Sequence, residues 1–225
     1  MIIVTGASRG LGNAICKRLI SKKIPVLGLA RNVNDLNFES ITCDVSSYES
    51  VKNITQRLRK DGISITGLIN AAGIASMNLA VTTPQSVSMN IINTNLLGTI
   101  YCCQLIAPLM VRNKTGSIIN FSTIAVALGL KGESIYAASK AGVEGFTRSF
   151  AREMADFNIK VNCIAPGPID TDLIRGVTPI QIQKIISQQI MPKQFTPDAV
   201  SDLVEILLDP RSNSLSAQVL HIGGA

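Results

Sequence analysis

Short apolar runs alternate along this chain with longer stretches in which apolar residues recur every three or four positions, as strands give way to helices. Met1 to Thr5 is a β-rich apolar run that leads through Gly6-Ala-Ser-Arg-Gly10-Leu-Gly12 into Asn13 to Lys22, where Leu11, Ile15, Leu19 and Ile20 fall at helical spacing. Strands are expected over Pro25 to Ala30 and Ser40 to Cys43. Between them, Asn32 to Glu39 is too short and too polar for a full helix, so this crossover is abbreviated. The alternation continues with a helix over Ser47 to Lys60, a strand over Gly67 to Asn70, a long helical stretch over Gln85 to Arg112 and a strand over Ser117 to Phe121. A linker carrying Gly129 and Gly132 opens the helix of Tyr136, which runs to about Phe157 and is followed by a strand over Ile159 to Ile164. Ala165 to Thr171 reads as a rigid turn, and Asp172 to Lys193 as a looser helical insertion, with Ile180, Ile182, Ile185, Ile186, Ile190 and Met191 as its apolar points. A segment of this kind, at about residues 170–195, is expected to form a mobile lid over a substrate pocket. An amphipathic helix over Pro197 to Leu208 and a strand over Ala217 to Ile222 complete an alternating α/β chain.

Composition narrows the class. With 225 residues, 46% of them hydrophobic, the chain has room for one domain that buries most of its length. Its apolar runs are interrupted well short of the ~20 residues of a membrane span. It begins at once on a buried-type strand without a basic leader, which favours a cytoplasmic protein. Five cysteines, without C-x-x-C spacing, and the single His221 offer no zinc cluster, so the thiols are expected as reduced core packing and no metal is called for. The net charge of +6 is compatible with nucleic acid, an acidic protein or an anionic cofactor. Scattered basic residues and an aromatic content of 4% argue against nucleic acid.

The candidate chemistry sits at the ends of the expected strands. Gly6, Gly10 and Gly12, with Ser8, Arg9 and Leu11 among them, form a tight turn between the first strand and first helix, where backbone amides can meet a pyrophosphate. Where the second strand ends and an NAD site would carry an acid, Arg31 stands instead. Together with Arg9 it can embrace a 2′-phosphate, which favours NADP. Asp44-Val45 is placed either to meet an adenine amino group or, through Asp44, to cap the next helix. Asn95 lies mid-helix, where asparagine is a poor choice without a buried use. Ser122 and Thr123 put hydroxyls at the carboxyl end of a strand, where open parallel sheets hold their ligands. Tyr136 and Lys140, four residues apart, share one helix face. Bringing a phenol from ~10 toward 7 takes roughly 4 kcal/mol, which one ammonium about 4 Å away supplies at an effective dielectric of ~20.

These residues, taken together, resemble the short-chain dehydrogenase/reductase family over nearly the whole chain: Thr5-Gly-x-x-x-Gly-x-Gly12, Asp44, Asn70-Ala71-Ala72-Gly73, Asn95, Tyr136-x-x-x-Lys140, Pro166-Gly167 and the terminal Gly223-Gly224. The resemblance implies a single Rossmann domain with a doubly wound, seven-stranded parallel sheet and NAD(P)-dependent carbonyl reduction or alcohol oxidation. It implies Tyr136 as proton donor, Lys140 as the group that lowers its pKa and holds the nicotinamide ribose, and Asn95 as the holder of a relay water. The substrate-orienting hydroxyl falls on Thr123, thirteen residues before Tyr136, with Ser122 as the other claimant. The implied cofactor contacts extend over the glycine turn, Arg31, Asp44, Val45, Asn70 to Gly73, Tyr136, Lys140, Pro166, Gly167, Ile169 and Thr171.

Within the family, the run Tyr136 to Pro166 and the segment from Asp170 to the Gly-Gly end are most similar to 3-oxoacyl-[acyl-carrier-protein] reductases. An acidic carrier protein suits the positive charge, and Arg112 and Lys114 are candidates for its docking surface. Asp156-Phe-Asn158 lacks the basic residue expected of a carrier-docking reductase. The abbreviated loop after Arg31 is similar to dehydrogenases of cyclic diols, and a sugar ketone is a further alternative. A non-catalytic dinucleotide-binding regulator is the reading of another class. The resemblance also implies a homotetramer or homodimer, joined through the faces Ile91 to Ile106 and Val143 to Phe150.

Overall fold

In the computed structural model, which describes residues 1–171 and 177–225, seven parallel strands form one sheet. They are β1 (Ile2–Thr5), β2 (Val26–Ala30), β3 (Ser40–Thr42), β4 (Gly67–Asn70), β5 (Gly116–Phe121), β6 (Ile159–Pro166) and β7 (Val219–Ile222), in the spatial order 3-2-1-4-5-6-7. The helices are α1 (Gly10–Ser21), α2 (Tyr48–Lys60), α3 (Gln85–Ile92), α4 (Gly98–Val111), α5 (Ala125–Leu128), α6 (Ser134–Ala155), α7 (Pro179–Ile186) and α8 (Pro197–Leu208). Strand order reverses between β1 and β4, and a doubly wound sheet opens its ligand crevice beyond the carboxyl ends at such a point.

The near-continuous apolar runs follow from burial on both faces of the sheet. Ile3, Leu68, Ile118 and Val161 project to one side, against Val51 and Ile54 of α2, Ile106 and Met110 of α4, and Phe150 of α6. Their neighbours Val4, Ile69, Ile119 and Ile164 project to the other, against Ile15 and Leu19 of α1 and Val200, Val204 and Leu207 of α8. All five cysteines are buried and free.

Several local details depart from the sequence reading. Helix α1 begins at Gly10, so the second half of the glycine turn is already helical. Residues 32–39 form no helix, and β3 follows directly, as the polar pattern suggests. Asp44 does not cap α2. That role falls to Ser47, whose side chain accepts from the Ser50 amide at 3.3 Å, while Asp44 Oδ1 accepts from the amide and hydroxyl of Ser46 at 3.0 and 2.7 Å. Helices α3 and α4 join through a π turn, Asn93–Leu97, into one helix over Gln85–Val111. Its 27 residues, with a window of mean hydropathy 1.4, are long and apolar enough to cross a membrane, contrary to the reading of short runs. Much of its apolar surface is spent on the core side of β4 and β5.

The lid expected at about 170–195 overlaps residues 172–176, which lie outside the described residues. In the rest, helix is confined to α7, opened by a capping box in which Thr178 Oγ1 accepts from the Gln181 amide at 3.3 Å. Ile180 and Ile190 of this segment are 82% and 77% exposed.

Candidate active site

A cleft of about 930 Å³ runs along the carboxyl edge of the sheet, from Arg9 and Arg31 at one end to Thr123 and Tyr136 at the other. The glycine turn forms its floor for two reasons. Gly6 and Gly12 are required by the protein's own packing: a Cβ on Gly6, at φ +69°, would stand 2.8 Å from Ala72 Cα, and one on Gly12 would stand 2.3 Å from the Gly6 carbonyl oxygen. Gly10, at φ +56°, has only Thr171 Cβ nearby, at 3.7 Å, and leaves the space above the turn open for a ligand. Thr5 Oγ1 accepts from the Ala72 amide at 3.1 Å, and Asn13 donates to the Ala7 carbonyl at 3.0 Å, which binds the turn to its neighbours. Asn13 carries no motif signal beyond its place in the first turn of α1.

At the arginine end, Ser8, Arg9 and Arg31 are exposed and line the cleft with Leu11, Asp44 and Val45, joined by Asp35, which sequence reasoning passed over. Ala71, Ala72, Gly73, Pro166, Gly167, Ile169 and Thr171 line its middle. Gly12 and Asn70 do not reach the cleft. Asn70 is buried behind the wall, donating to Asn120 Oδ1 at 2.9 Å and to Cys103 Sγ at 3.3 Å, with its own Oδ1 left unpaired among the described residues. The family resemblance implied a cofactor contact here, but the Asn70 side chain is turned into the sheet–helix core.

At the tyrosine end, helix α6 presents Tyr136 and Lys140 to the cleft, both buried. Lys140 Nζ donates to the Phe121 carbonyl at 2.8 Å. Asn95 sits in the π turn, fully buried, a device that redirects one side chain out of the α-helical series. Its Oδ1 accepts from the Ile74 amide at 2.8 Å, and its Nδ2 donates to the Ile74 carbonyl at 2.9 Å and to Ser139 Oγ at 3.1 Å. A Cβ on Gly73 would stand 3.4 Å from Asn95 Oδ1 and 3.5 Å from Lys140 Nζ, so this glycine keeps the gap between the two groups open.

The two adjacent hydroxyls differ in their commitments. Ser122 is buried and donates to Glu144 Oε1 at 2.7 Å, and Glu144 is paired in turn with Arg148 at 3.3 Å. Thr123 accepts from the Ala125 amide at 3.2 Å, and its hydroxyl lines the cleft beside the Tyr136 phenol, on which it acts. Glu144 and Ser139, which hydrogen-bond Ser122 and Asn95 from α6, are contacts that sequence reasoning missed.

The electrostatics reverse one expectation. Burial pushes the Tyr136 phenol up, the Glu133 carboxylate pushes the same way, and the Thr123 hydroxyl pulls against both. Burial also pushes Lys140 down, to about 8, with Cys163 opposing. The phenol therefore holds its proton firmly: desolvation is the first cause of its shift, and the depression expected from Lys140 is not among the causes.

An open doubly wound sheet with a glycine turn at its switch point, and a buried Asn–Tyr–Lys set at its carboxyl edge, defines a dinucleotide-dependent oxidoreductase. The residues fit such a cofactor: open room over Gly10, two exposed guanidinium groups at one end and an amine beside a phenol at the other. The chain belongs to the short chain dehydrogenase family, whose family model matches residues 1–181, and it is an NAD(P)-dependent enzyme of that family. Among curated proteins it is 32% identical over 235 residues to the 3-oxoacyl-[acyl-carrier-protein] reductase FabG of Chlamydia pneumoniae, covering 99% of this chain and 95% of that one. Among solved structures it is similar to the aldohexose dehydrogenase of Thermoplasma acidophilum in ligand-free form, with a TM-score of 0.89 and 31% identity, covering 99% of this chain and 92% of that one. It is also similar to a 4-hydroxyisoleucine dehydrogenase mutant complexed with NADH and succinate, with a TM-score of 0.91 and 26% identity, covering 99% and 97%.

Proposed function

We propose that the chain reduces a carbonyl compound to an alcohol with NADPH, and that its substrate is a 3-oxoacyl group of the kind carried by an acyl carrier protein. The observation that carries the reading is the placement of Tyr136, Lys140 and the Thr123 hydroxyl together in the lining of the cleft. Bound NADPH supplies the hydride. Thr123 donates a hydrogen bond to the carbonyl oxygen and orients it, and Tyr136 delivers the proton to the alkoxide as it forms. Lys140, protonated below about 8, balances the phenolate left behind and then passes it a proton. Asn95, held at both edges of its amide, fixes the loop at Ile74 and faces Lys140 across the gap over Gly73 as part of the proton path. Arg9 and Arg31 hold the 2′-phosphate, which favours NADPH over NADH, although the 4-hydroxyisoleucine dehydrogenase relative was solved with NADH.

The 3-oxoacyl assignment rests on the full-length similarity to the acyl-carrier-protein reductase and on the net charge of +6. A sugar or cyclic diol is the second reading, favoured by the similarity to the aldohexose dehydrogenase. We further propose a cytoplasmic homotetramer with a lid at about 170–195. Of the faces expected to pair, Ile91, Ile106, Val143 and Phe150 are buried in the chain's own core, so the contact falls on a neighbouring strip of α4 and α6, where Gln104, Pro108, Val111 and Met154 border a shallow groove of about 280 Å³.

Acetoacetyl thioesters, cyclic diols and keto sugars, each assayed with NADPH and NADH, test the assignment. NADPH oxidation by the thioester, faster than with any sugar, is the expected result. Sugar or diol turnover alone would replace the 3-oxoacyl reading with the second. Cofactor binding without turnover of any compound would leave a regulator.

A further inference from the structure

The charges along the cleft are unevenly distributed. The arginine end carries two exposed guanidinium groups. At the tyrosine end the described lining is mainly apolar, with Met77, Leu130, Val177, Ile182 and Ile185, and the one carboxylate among these described residues is Glu133. Glu133 is the N-cap residue of α6, one turn before Tyr136, and its carbonyl accepts from the Ala137 amide at 2.6 Å. The loop before it turns at Gly132, at φ +86°, where a Cβ would be in ordinary contact with Met77 Cγ, at 3.4 Å. Glu133 is half-buried, and its charge acts on the Tyr136 phenol. It makes no side-chain hydrogen bond or ion pair among the described residues. Lys140, the one cation of the described lining at this end, donates to the Phe121 carbonyl at 2.8 Å, and burial pushes its pKa down to about 8.

The amino end of a long helix ordinarily welcomes an anion. Here the chain's own carboxylate stands at that end, so an anionic group entering beside Tyr136 would meet like charge in a partly desolvated pocket. We infer that Glu133 is the specificity-determining residue of the tyrosine end, selecting substrates that are uncharged around the reacting carbonyl and turning away those that carry a carboxylate or phosphate there. The inference rests on the reading that the substrate carbonyl sits at Tyr136. It deepens that reading by stating what surrounds the carbonyl: an acyl or hydroxylated chain, whose hydroxyls Glu133 can accept from.

The test is binding, measured by calorimetry on the enzyme–NADP⁺ complex, in which a ketone cannot react. Methyl acetoacetate and acetoacetate are the probes, alike in size and carbonyl and different in charge. The wild type is expected to bind the ester at least about tenfold more tightly than the acid, the scale of one like-charge contact at intermediate dielectric. In Glu133→Gln the ratio should fall to near one, with ester affinity kept within about threefold. Equal binding of the two probes by the wild type, no binding of either, or an unchanged ratio in the variant would overturn the inference. The wild-type ratio stands even if the variant fails to fold. NADPH oxidation with the same ester is read separately: discrimination in binding without turnover would sink carbonyl reduction and leave the charge selection intact.

Discussion

At the arginine end of the cleft, Arg9 and Arg31 stand in water on the loops after β1 and β2, outside any ion pair formed among the described residues. At the tyrosine end, Asn95, Ser122, Tyr136 and Lys140 are buried, and all but the phenol's own hydroxyl are tied to a backbone carbonyl, a backbone amide or a second side chain. On the proposed reading the first end binds by charge on exposed side chains, and a single substitution there changes affinity without disturbing the fold. The second is a preorganised network, in which losing one member unsettles the others. Substitutions at the two ends should therefore separate into effects on cofactor choice and effects on turnover.

The largest effects belong to the buried end. Thr123→Ala should lower kcat by roughly 10²-fold, the scale of one lost donor to a developing oxyanion, while Ser122→Ala changes it by less than about threefold. Steady-state kinetics with NADPH and one neutral ketone check both, and equal losses would put the orienting hydroxyl back in question. Asn95→Ala removes three hydrogen bonds and leaves the Ile74 amide and carbonyl unpaired, which should cost about 2 kcal/mol of stability as well as turnover. Urea unfolding alongside kinetics measures the two together. Next in size, at the exposed end, Arg9→Ala combined with Arg31→Ala should weaken NADPH binding by about 10- to 100-fold and NADH binding by less than about threefold, with kcat at saturation nearly unchanged. Fluorescence titration with each cofactor checks this, and a parallel loss for both would remove the 2′-phosphate assignment.

The smallest effect near neutral pH concerns the fold itself. Burial holds Cys16, Cys103 and Cys163 up at about 12, from an ordinary 9.0, and raises Cys43 and Cys102 as well. The folded state keeps these protons while the unfolded chain loses them, so stability is fully present below pH 9 and is lost as pH rises from about 9 toward 12. Lys140 acts oppositely between about 8 and 10.5, where the unfolded amine is protonated and the folded one is not. The raised Tyr136 phenol joins the five thiols, and the lowered amines of Lys160 and Met1 join Lys140; the six raised groups outweigh the three amines, so melting temperature should hold to about pH 9 and then fall. A melt series across pH 7 to 11 checks the sign.

The sequence made the two ends unequally legible. Tyr136 and Lys140 were readable because a spacing of four on a helix fixes a shared face whatever surrounds it, and Asn95 because an asparagine mid-helix is costly without a use. The glycine turn was readable as a turn, yet two of its glycines serve contacts with Ala72 and with the turn itself, which local sequence cannot reveal. Asn70 was expected in the cleft because the family resemblance implies cofactor contacts over Asn70 to Gly73. The partners that draw it inward, Asn120 and Cys103, lie 50 and 33 residues away in the chain. The sequence leaves Ser122 and Thr123 equal as hydroxyls at a strand end; that Ser122 donates to Glu144, 22 residues on, is a contact local sequence does not show. The pKa expectation failed for a related reason: spacing reports a neighbouring charge but not desolvation, and here desolvation is the first cause of both shifts. The π turn and the place of Glu133 in the cleft lining needed the packed structure, although a carboxylate three residues before the tyrosine was visible all along.

Tyr136→Phe tests the central claim most directly, because it removes the acidic proton and leaves the ring, the helix and Lys140 in place. Single-turnover oxidation of bound NADPH by a neutral ketone should slow by about 10³-fold or more, while NADPH affinity stays within about threefold of wild type. A variant that binds NADPH and oxidises it at close to the wild-type rate would show that the proton comes from elsewhere.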